Sequence, residues 1–505
     1  MSTAQAVVAI DQGTTSTRVA VMRADGSILA TAQREHAQHF PAPGWVEHDP
    51  VQIWEAVREL TSLALTRARL DARGVAAVGL TNQRETVVAW DVRTGRPVHR
   101  AIVWQDTRTA DAMARLAAGG HEAAVRERTG LPLTAYFSAS KVRWLLDEVP
   151  AARELSRAGR LRVGTMDAWL VWNLTGGVRG GVHATDVTNA SRTLLMDLES
   201  GVWSPEMLAL FGLEPGEWEA MAPAIRPSVG RFGDVAEGVG LTGVPVAGVL
   251  GDQQAAAFGQ ALFRPGDTKN TYGTGCFLLQ HTGTVRPTSE HGLVSTVAFQ
   301  REDGPLHYAL EGSVAVAGSL VQWLRDGLGV IATSAEVEEV AASVPDNGGV
   351  VIVPAFSGLY APRWRPDARG VIAGLTGYAT RGHLARAAVE ATAYQSRDLL
   401  EALAADTGRR IEVLRVDGGM TVNETLLQFQ ADILGLPVVR PRVTETTVQG
   451  AAWAAGLAVG VWPDLDALAG LWREERRWEP AMGQAERARL LERWGHAVEA
   501  SLGWA

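Results

Sequence analysis

A short polar stretch near the start of the chain combines an acid, a glycine and several hydroxyl-bearing residues. Residues 11–18 read DQGTTSTR and follow the apolar run Val7 to Ile10, with Arg18 opening a second apolar run. At the tip of a hairpin, such a stretch can be an ordinary polar turn. It can also be a phosphate-binding loop, in which backbone N–H groups and hydroxyls bind anionic oxygens while the acid lies near a metal ion. A second, similar segment would favour phosphate binding.

The other half of the chain contains a second hairpin of this kind and a Gly-Gly turn. Residues 272–277 read YGTGCF, between two runs that are typical of strands. The segment VDGGMTVNE follows a further strand, and Gly418 and Gly419 would let its backbone approach a flat ligand. Asn423 would either cap the next helix or bind a nucleotide base. Together with the first hairpin, these segments indicate a phosphate or nucleotide site.

The elements that must position these segments alternate between strands and helices. Asp49 can cap a helix that begins at Pro50, because apolar residues recur after it at helical spacing. The order strand, polar turn, helix returns after residue 245, which predicts an α/β protein with helices covering its sheets. We therefore predict two domains, residues 1–250 and 251–505, and charged surface helices after about residue 463.

Composition excludes several classes of protein. A chain of 505 residues is too long for one compact core, and its net charge of −9 argues against nucleic acid as the main partner. No run reaches the ~18 apolar residues of a membrane span, and the start lacks the pattern of a secretory signal. Cys276 is the single cysteine, so an intramolecular disulfide is excluded and a reducing cytoplasm is the expected location.

Two motif matches and one set of histidines are interpreted as having no function. Residues 238–243 match G-x-G-x-x-G, but a proline follows where a helix should begin. Residues 138–141 match the S-x-x-K of serine acyl-enzymes, but the chain has neither S-D-N nor K-T-G. His36, His39 and His48 lack the spacing of a metal site, so we predict that they are ordinary surface residues.

Between about Val7 and Gly460 the chain resembles the FGGY carbohydrate kinase family. The motifs that carry the resemblance are DQGTTSTR, PGWVEHDP, TNQRET, AIVWQDTRT, NASRT, GDQQAA, KNTYGTGCF, ALEG, PAFSGLYAPRWRPDARG and VDGG with FQADILG. The motifs TNQRET and GDQQAA are similar to those of the family members that phosphorylate glycerol. The resemblance implies two actin-like (ribonuclease H-like) ATPase domains around a central cleft, ATP and Mg²⁺ as cofactors, and transfer of the γ-phosphoryl group to glycerol in glycerol catabolism.

The same motifs imply roles for individual residues. Asp252 would be the general base that accepts the proton of the attacking hydroxyl. Residues at positions that match the glycerol site are Arg84, Glu85, Trp104, Tyr136, Asp252, Gln253 and Phe277. Residues at positions that match the phosphate and nucleotide site are Thr14, Thr15, Ser16, Arg18, Thr274, Gly318, Gln322, Gly419 and Asn423. Asp11 would orient Mg²⁺ through water.

Three other functions compete with this interpretation. A kinase of the same family could act on a pentulose or a four-carbon polyol, although Trp104 and NQRET argue against a larger substrate. An actin- or Hsp70-like ATPase would have no use for Arg84, Glu85, Tyr136 and Asp252 together. A non-catalytic sensor would have no reason to keep an intact general base. The resemblance to the family also implies a homo-oligomer, either a dimer or a tetramer.

Overall fold

The computed structural model describes residues 6–504, in which strands and helices alternate. The strands are β1 (Ala6–Gln12), β2 (Ser16–Arg23), β3 (Ile28–Glu35), β4 (Gln38–His39), β5 (Glu47–His48), β6 (Val75–Asn82), β7 (Val87–Asp91), β8 (Ala101–Ile102), β9 (Leu161–Thr165), β10 (Ala184–Asp186), β11 (Ala224–Arg226), β12 (Val229–Asp234), β13 (Pro245–Gly251), β14 (Thr268–Tyr272), β15 (Cys276–Gly283), β16 (Val294–Gln300), β17 (Leu306–Val314), β18 (Val351–Val353), β19 (Val371–Ala373), β20 (Leu414–Asp417), β21 (Val438–Pro441) and β22 (Glu474–Trp478). This is the α/β alternation that the sequence predicts.

The helices lie between these strands and cover the sheets. They are α1 (Pro50–Ala68), α2 (Ala110–Ala118), α3 (Glu122–Thr129), α4 (Ala139–Glu148), α5 (Pro150–Arg157), α6 (Met166–Leu174), α7 (Val187–Ala190), α8 (Pro205–Leu210), α9 (Pro215–Met221), α10 (Asp252–Gly259), α11 (Gly318–Asp326), α12 (Glu336–Ala342), α13 (Arg381–Thr407), α14 (Glu424–Leu434), α15 (Thr446–Ala458), α16 (Leu465–Ala469) and α17 (Gln484–Ala500). Helix α1 begins as predicted, because the Asp49 side chain accepts from the Val51 N–H and Pro50 occupies the first turn. Among the described residues, no helix is both long enough and apolar enough to cross a membrane.

Two large sheets, one in each half of the chain, share an order of six strands. The first runs β12-β13-β6-β1-β2-β3, and the second runs, from its other edge, β22-β21-β20-β14-β15-β17, with β16 as an additional edge strand. In each sheet a hairpin, β1–β2 or β14–β15, is joined by an antiparallel third strand, β3 or β17. The first strand of each hairpin also pairs in parallel with a later strand, β6 or β20. The repeated order confirms the prediction of two α/β domains of the actin-like type.

Helices α10 and α15 pack on each other between the two sheets. Helix α15 follows β21 of the second sheet but packs on β1, β6 and β13 of the first, whereas α10 contacts β6 and β13 of the first sheet and β14, β15 and β16 of the second to a similar extent. A Cβ atom added to Gly450 would lie 1.8 Å from the Ala255 carbonyl oxygen, and one added to Gly79 would lie 2.0 Å from the Ala451 carbonyl oxygen. Only glycine fits at these two crossings, so α15 lies directly against both neighbours and joins the halves.

A third sheet, β4-β5-β8-β7-β9, is inserted in the first half. Strand β7 begins two residues after Glu85, and β8 ends two residues before Trp104. Helix α4 begins three residues after Tyr136. The loops next to the strands and helices of this insertion therefore position Glu85, Trp104 and Tyr136.

The end of the chain contains helices α16 and α17, as predicted, but the charged segment between them is a strand. Residues Glu474–Trp478 form β22, which pairs antiparallel with β21 at the edge of the second sheet. Its first four residues are exposed and only Trp478 is buried, so the charged composition fits a solvated edge strand as well as a helix. The helical prediction failed here because backbone pairing with β21, which the local composition does not encode, determines the conformation.

Candidate active site

The tip of the first hairpin is shorter than the sequence suggests. Asp11 and Gln12 continue β1, so the tip comprises residues 13–15 alone. The Gly13 N–H donates to the Ser16 carbonyl at 2.9 Å and closes the turn. The hydroxyl side chains at this end of the hairpin, none of them fully buried, belong to Thr14, Thr15 and Ser16. The hairpin therefore presents three hydroxyls beside a carboxylate, as a phosphate-binding loop requires.

Two histidines that we predicted to be surface residues are buried beneath this tip. The Nε2 atom of His36 lies 3.0 Å from the Thr14 carbonyl oxygen, and its ring packs edge-on against His48 at a centroid distance of 4.8 Å. His48 is fully buried, and burial lowers its pKa to about 3, so it is neutral. The surface prediction was wrong for His36 and His48 because the segment after β3 folds back over the hairpin; His39 is partly exposed.

Arg18 lies at the base of the hairpin and faces the other half of the molecule. Its Nε and Nη2 atoms donate to the Gln33 side-chain oxygen at 3.1 and 2.8 Å. Its Nη1 atom forms an ion pair with Glu445, the residue immediately before α15. About a quarter of the Arg18 side chain remains exposed, so the guanidinium is fixed in place but still reachable by an anion.

Asp11 and Asp252 bring two carboxylates into the same region. Asp11 is near the end of β1, and Asp252 directly follows β13, two strands away in the first sheet. Burial raises the pKa of Asp11 to about 7; Arg18 opposes this rise and the Asp252 charge adds to it. Burial also raises the pKa of Asp252, against the effect of Arg84. The two carboxylates would therefore be stabilised as anions by a cation bound near them.

The donor set is compatible with Mg²⁺ but is not a closed metal cage. Within residues 6–504, no three His, Cys, Asp or Glu side chains are grouped closely enough to hold a metal ion by themselves. Mg²⁺ in phosphoryl-transfer sites is typically held by one or two carboxylates, with phosphates and water completing the octahedron. The partly exposed Asp11 carboxylate fits that pattern.

A buried ion network adjoins Asp252. The Nη1 and Nη2 atoms of Arg84 donate to the two oxygens of Glu311 at 2.5 and 2.9 Å, and its Nε lies 3.3 Å from Asp252 Oδ1. Arg192 donates to Glu85 at 2.7 Å and to Glu311 at 3.1 Å. Asp252 keeps 27% of its side-chain surface exposed, whereas the other four side chains keep at most 2%. Asp252 is thus the most accessible member of the network.

The charges of this network have clear physical causes. Burial alone would raise the pKa of Glu311, but Arg192 and Arg84 lower it to about 2. Burial opposes the charge of Arg84, but Glu311 and Glu85 hold its pKa well above the ordinary range. Glu311 and Arg192 were not among the predicted site residues. Both belong to motifs that carried the family resemblance, ALEG and NASRT, but the partners of a buried charge cannot be read from one sequence.

Three aromatic side chains meet next to the network. The ring of Trp104 lies 5.3 Å from that of Tyr136 and 6.5 Å from that of Phe277 on β15, all edge-to-face. The Trp104 indole N–H donates to the Thr14 hydroxyl at 3.0 Å, which ties this group to the tip of the first hairpin. Arg192 lies 5.9 Å from the Tyr136 ring centre. The predicted aromatic and polar substrate residues are therefore brought together.

Gln253 reaches the second hairpin through a lysine that sequence reasoning missed. Lys269 donates to the Gln253 side-chain oxygen at 2.6 Å, to the Thr271 hydroxyl at 2.7 Å and to the Phe277 carbonyl at 3.3 Å. Thr271 in turn donates to Asp417 at 2.5 Å. Burial lowers the pKa of Lys269 to about 8, although Asp417 opposes the shift. This chain of contacts connects α10 to both β14 and β20.

The second hairpin, the start of α11 and the Gly-Gly turn pack together. The N–H groups of Ala317 and Ser319 donate to the Thr274 carbonyl at 2.9 and 3.1 Å. Gly418 has a φ of +92°, and a Cβ atom there would lie 2.5 Å from the Tyr272 carbonyl oxygen, so the turn requires glycine.

The predicted nucleotide residues lie on these three segments. Thr274 and Gly419 are exposed, Gly318 is partly buried at the first position of α11, and Gln322 is exposed one turn later. Asn423 accepts from the Leu426 N–H at 2.8 Å, which confirms the capping alternative for its side-chain oxygen. The amide NH₂ of Asn423 is not used by this cap.

The sequence matches two domain models of one enzyme family. The model of the FGGY family of carbohydrate kinases, N-terminal domain, matches residues 6–259, and the model of the C-terminal domain matches residues 268–459.

Full-length relatives are similar throughout. The glycerol kinase of Renibacterium salmoninarum is 57% identical over 500 residues, covering 99% of this chain and 98% of that protein. The glycerol kinase of Paenarthrobacter aurescens is 56% identical over the same shares. The crystal structure of Plasmodium falciparum glycerol kinase with ADP superposes with a TM-score of 0.90 at 37% identity, covering 98% of both chains. The xylulose kinase of Rhodospirillum rubrum gives a TM-score of 0.82 at 28% identity, also covering 98% of both chains.

Proposed function

The chain belongs to the FGGY family of carbohydrate kinases, and we propose that it transfers the γ-phosphoryl group of ATP to glycerol. The observation that carries the proposal is the meeting of a polar face, Arg84 with Asp252, and an aromatic face, Trp104 with Tyr136 and Phe277. A triol has hydroxyls on one side and a short carbon chain on the other, which is the complement of these two faces. The similarity to glycerol kinases along nearly the whole chain supports the same substrate.

We assign Asp252 the role of general base. It is the exposed carboxylate of the network, so an acceptor hydroxyl can reach it, and burial raises its pKa towards neutrality. A base with a higher pKa accepts a proton more readily in the transition state. Arg84, which lies 3.3 Å away, orients the carboxylate. Alignment matters more than basicity here, because the transition state of phosphoryl transfer is loose.

In the same proposal, Arg84, Glu85, Gln253 and the Tyr136 hydroxyl bind the hydroxyls of glycerol, and Trp104 and Phe277 cover its carbon atoms. Arg84 and Glu85 are both held by buried ionic partners, so their side chains are fixed before substrate binds. Gln253 is fixed by Lys269. A site fixed in this way rejects an acceptor that lacks one of the hydroxyls, because a buried polar group would lose its partner.

The hairpin hydroxyls of residues 14–16 and the Arg18 guanidinium are the proposed ligands of the ATP phosphates. Arg18 is already held by Gln33 and Glu445 at the junction of the halves, and a phosphate would compete with Glu445 for its exposed side. Asp11 is the proposed carboxylate for Mg²⁺. When bound, the ion neutralises phosphate charge.

The nucleotide itself is assigned to the second half. Thr274, Gly318, Gln322, Gly419 and Asn423 lie on the packed hairpin, α11 and Gly-Gly turn, whose exposed glycine backbone suits a flat base. The boundary near residues 250 and 251 stays a prediction; the matches to the two family models leave residues 260–267 between them. A homo-oligomer and a cytoplasmic location remain predictions.

The deciding experiment measures ADP release by the purified protein with ATP and Mg²⁺, with and without glycerol. We expect release to depend on glycerol and to fall ~10²-fold or more in Asp252→Asn, which keeps the shape of the side chain but removes the proton acceptor. Release that does not depend on any small acceptor would favour the actin- or Hsp70-like ATPase. No release with any acceptor would favour a sensor. A folded Asp252→Asn variant with normal turnover would reject the assigned base.

A further inference from the structure

A buried lysine beside the glycerol site has no role in the mechanism above. Lys141 lies in the first turn of α4 and is completely buried. Its ammonium donates to the carbonyl oxygens of Ala135 at 2.5 Å, Tyr136 at 2.9 Å and Phe137 at 3.0 Å. An ammonium has three N–H donors, so these three consecutive carbonyls use all of them. The peptide on either side of Tyr136 is therefore held by one side chain.

Ser138, three residues earlier, contacts the other substrate-facing segment. It occupies the N-cap position of α4 but makes no side-chain capping bond. Its hydroxyl instead donates to the Glu85 carbonyl at 3.0 Å. A serine at this position ordinarily accepts from the first turn of its own helix, so the contact with Glu85 is made in place of a cap.

Glu85 itself has an unusual backbone. Its φ is +61°, in the left-handed region that favours glycine over other residues. A conformation of this kind persists only where its surroundings enforce it. Ser138 is one of the groups that bond to this peptide, and Arg192 holds the Glu85 side chain from the other side.

We propose that Ser138 and Lys141 are positioning residues of the acceptor site: Lys141 fixes the peptide that carries Tyr136, and Ser138 fixes the backbone that directs Glu85. The proposal rests on the proposed function, because Tyr136 and Glu85 are its glycerol residues. The S-x-x-K match, interpreted above as having no function, would then have a role in binding an acceptor, without any acyl chemistry.

A purely stabilising role explains Lys141 less well. Burial lowers its pKa to about 7, with Glu85 and Asp106 opposing the shift and Arg108 adding to it. The lowered pKa indicates that the three carbonyl bonds do not fully offset the desolvation of the ammonium. The three bonds are better explained by the fixed position that Lys141 gives to the backbone of Tyr136.

The test uses the full chain and compares steady-state kinetics for both substrates. Lys141→Met keeps an unbranched side chain one atom shorter and removes the three donors, and Ser138→Ala removes one donor without loss of a capping bond. We expect the KM for glycerol to rise about tenfold in Lys141→Met and about threefold in Ser138→Ala, because fewer bonds hold the two segments. The KM for ATP should stay within twofold, and kcat should change less than the KM for glycerol. Arg143→Met is the matched control: Arg143 is a partly exposed residue of α4 that pairs with Asp147 and donates to the Gly212 carbonyl, so its loss should leave both KM values unchanged.

A double-mutant cycle with Tyr136→Phe separates positioning from general damage. If Lys141 acts through Tyr136, Lys141→Met should raise the KM for glycerol clearly less in the Tyr136→Phe background than in the wild type. Equal effects in both backgrounds, or folded single variants with a normal KM for glycerol, would overturn the proposal. If circular dichroism shows that Lys141→Met does not fold, the proposal is tested with Ser138→Ala alone, in a double-mutant cycle with Glu85→Gln. Failure of the wild-type protein to phosphorylate glycerol would instead reject the proposed function.

Discussion

Replacing Glu311 by glutamine tests whether the buried ion network holds the acceptor site together. Glu311 lies on β17 in the second half, and Arg84 lies after β6 in the first half, so their bidentate pair joins the two sheets at the substrate. Glutamine keeps the shape of the side chain but removes its charge and turns an NH₂ group towards a guanidinium. The perturbation is therefore electrostatic and local.

The expected loss of stability follows from the hydrogen bonds that Glu311 accepts. Glu311 accepts two bonds from Arg84 and one from Arg192. Each hydrogen bond to a charged group contributes about 1.5–3 kcal/mol, and glutamine can keep only part of this set. An arginine left without its counter-charge adds a desolvation cost, so we expect a loss of about 3–5 kcal/mol in the free energy of unfolding, the range for breaking a buried ion pair. We also expect kcat/KM for glycerol to fall ~10²-fold, because Arg84 loses its orientation.

The assay combines urea unfolding at pH 7 with steady-state kinetics. Glu59→Gln is the matched control, since Glu59 forms an ion pair with Arg34 at 2.6 Å in which both side chains are largely exposed. Glu59→Gln should lower the free energy of unfolding by less than ~1 kcal/mol and leave activity unchanged. The pKa of Glu311 is lowered to about 2, so its stabilisation is complete above its unfolded value of ~4.3 and is lost as the pH falls towards 2. An unfolding free energy within 1 kcal/mol of wild type at pH 7, with normal glycerol kinetics, would refute the reasoning.

Three further predictions concern the first hairpin and the aromatic group. Arg18→Ala should lose ~1.5–3 kcal/mol of phosphate binding in ATP-dependent kinetics, with Arg34→Ala as an inert control; wild-type ATP affinity and turnover would refute the assignment. Asp11→Asn should raise the free energy of unfolding at pH 8 by roughly 1–4 kcal/mol, because the folded carboxyl with a pKa of about 7 resists an ionisation that the unfolded chain allows above ~3.9. That gain should shrink as the pH falls below 7 and vanish below ~4, and a gain independent of pH would contradict the cause given. Trp104→Ala should raise kcat/KM for erythritol relative to glycerol, because a side wall is removed, and an unchanged ratio would contradict the assigned wall.

Much of the fold is encoded locally and could be predicted from the sequence. The start of α1 at Pro50, the two glycine-containing hairpins and the strand-turn-helix around Gly418 each depend on residues within one segment. Edge strand β22 was missed because its charged residues suit a helix equally well, and only the neighbouring β21 makes it a strand.

The residues proposed to touch the substrate were predicted, whereas the buried partners that hold them were missed. Asp252, Arg84 and Trp104 lie in motifs whose chemistry is visible in the sequence. Glu311 and Arg192 act through partners that are distant along the chain, such as Arg84 at 2.5 Å from Glu311. A single sequence gives the charge of such residues but not the contact that neutralises it.

The most direct test of the proposed activity compares kcat/KM for glycerol, erythritol, xylulose and ribulose at the same ATP and Mg²⁺ concentrations. We expect the proposed site, with a polar face of Arg84, Glu85 and Asp252 and a wall of Trp104 and Phe277, to suit an acceptor of three carbons. We predict that glycerol has the highest value and that both pentuloses are poor acceptors. A pentulose that equals or exceeds glycerol would leave the chain in its family but contradict both the acceptor and the aromatic wall.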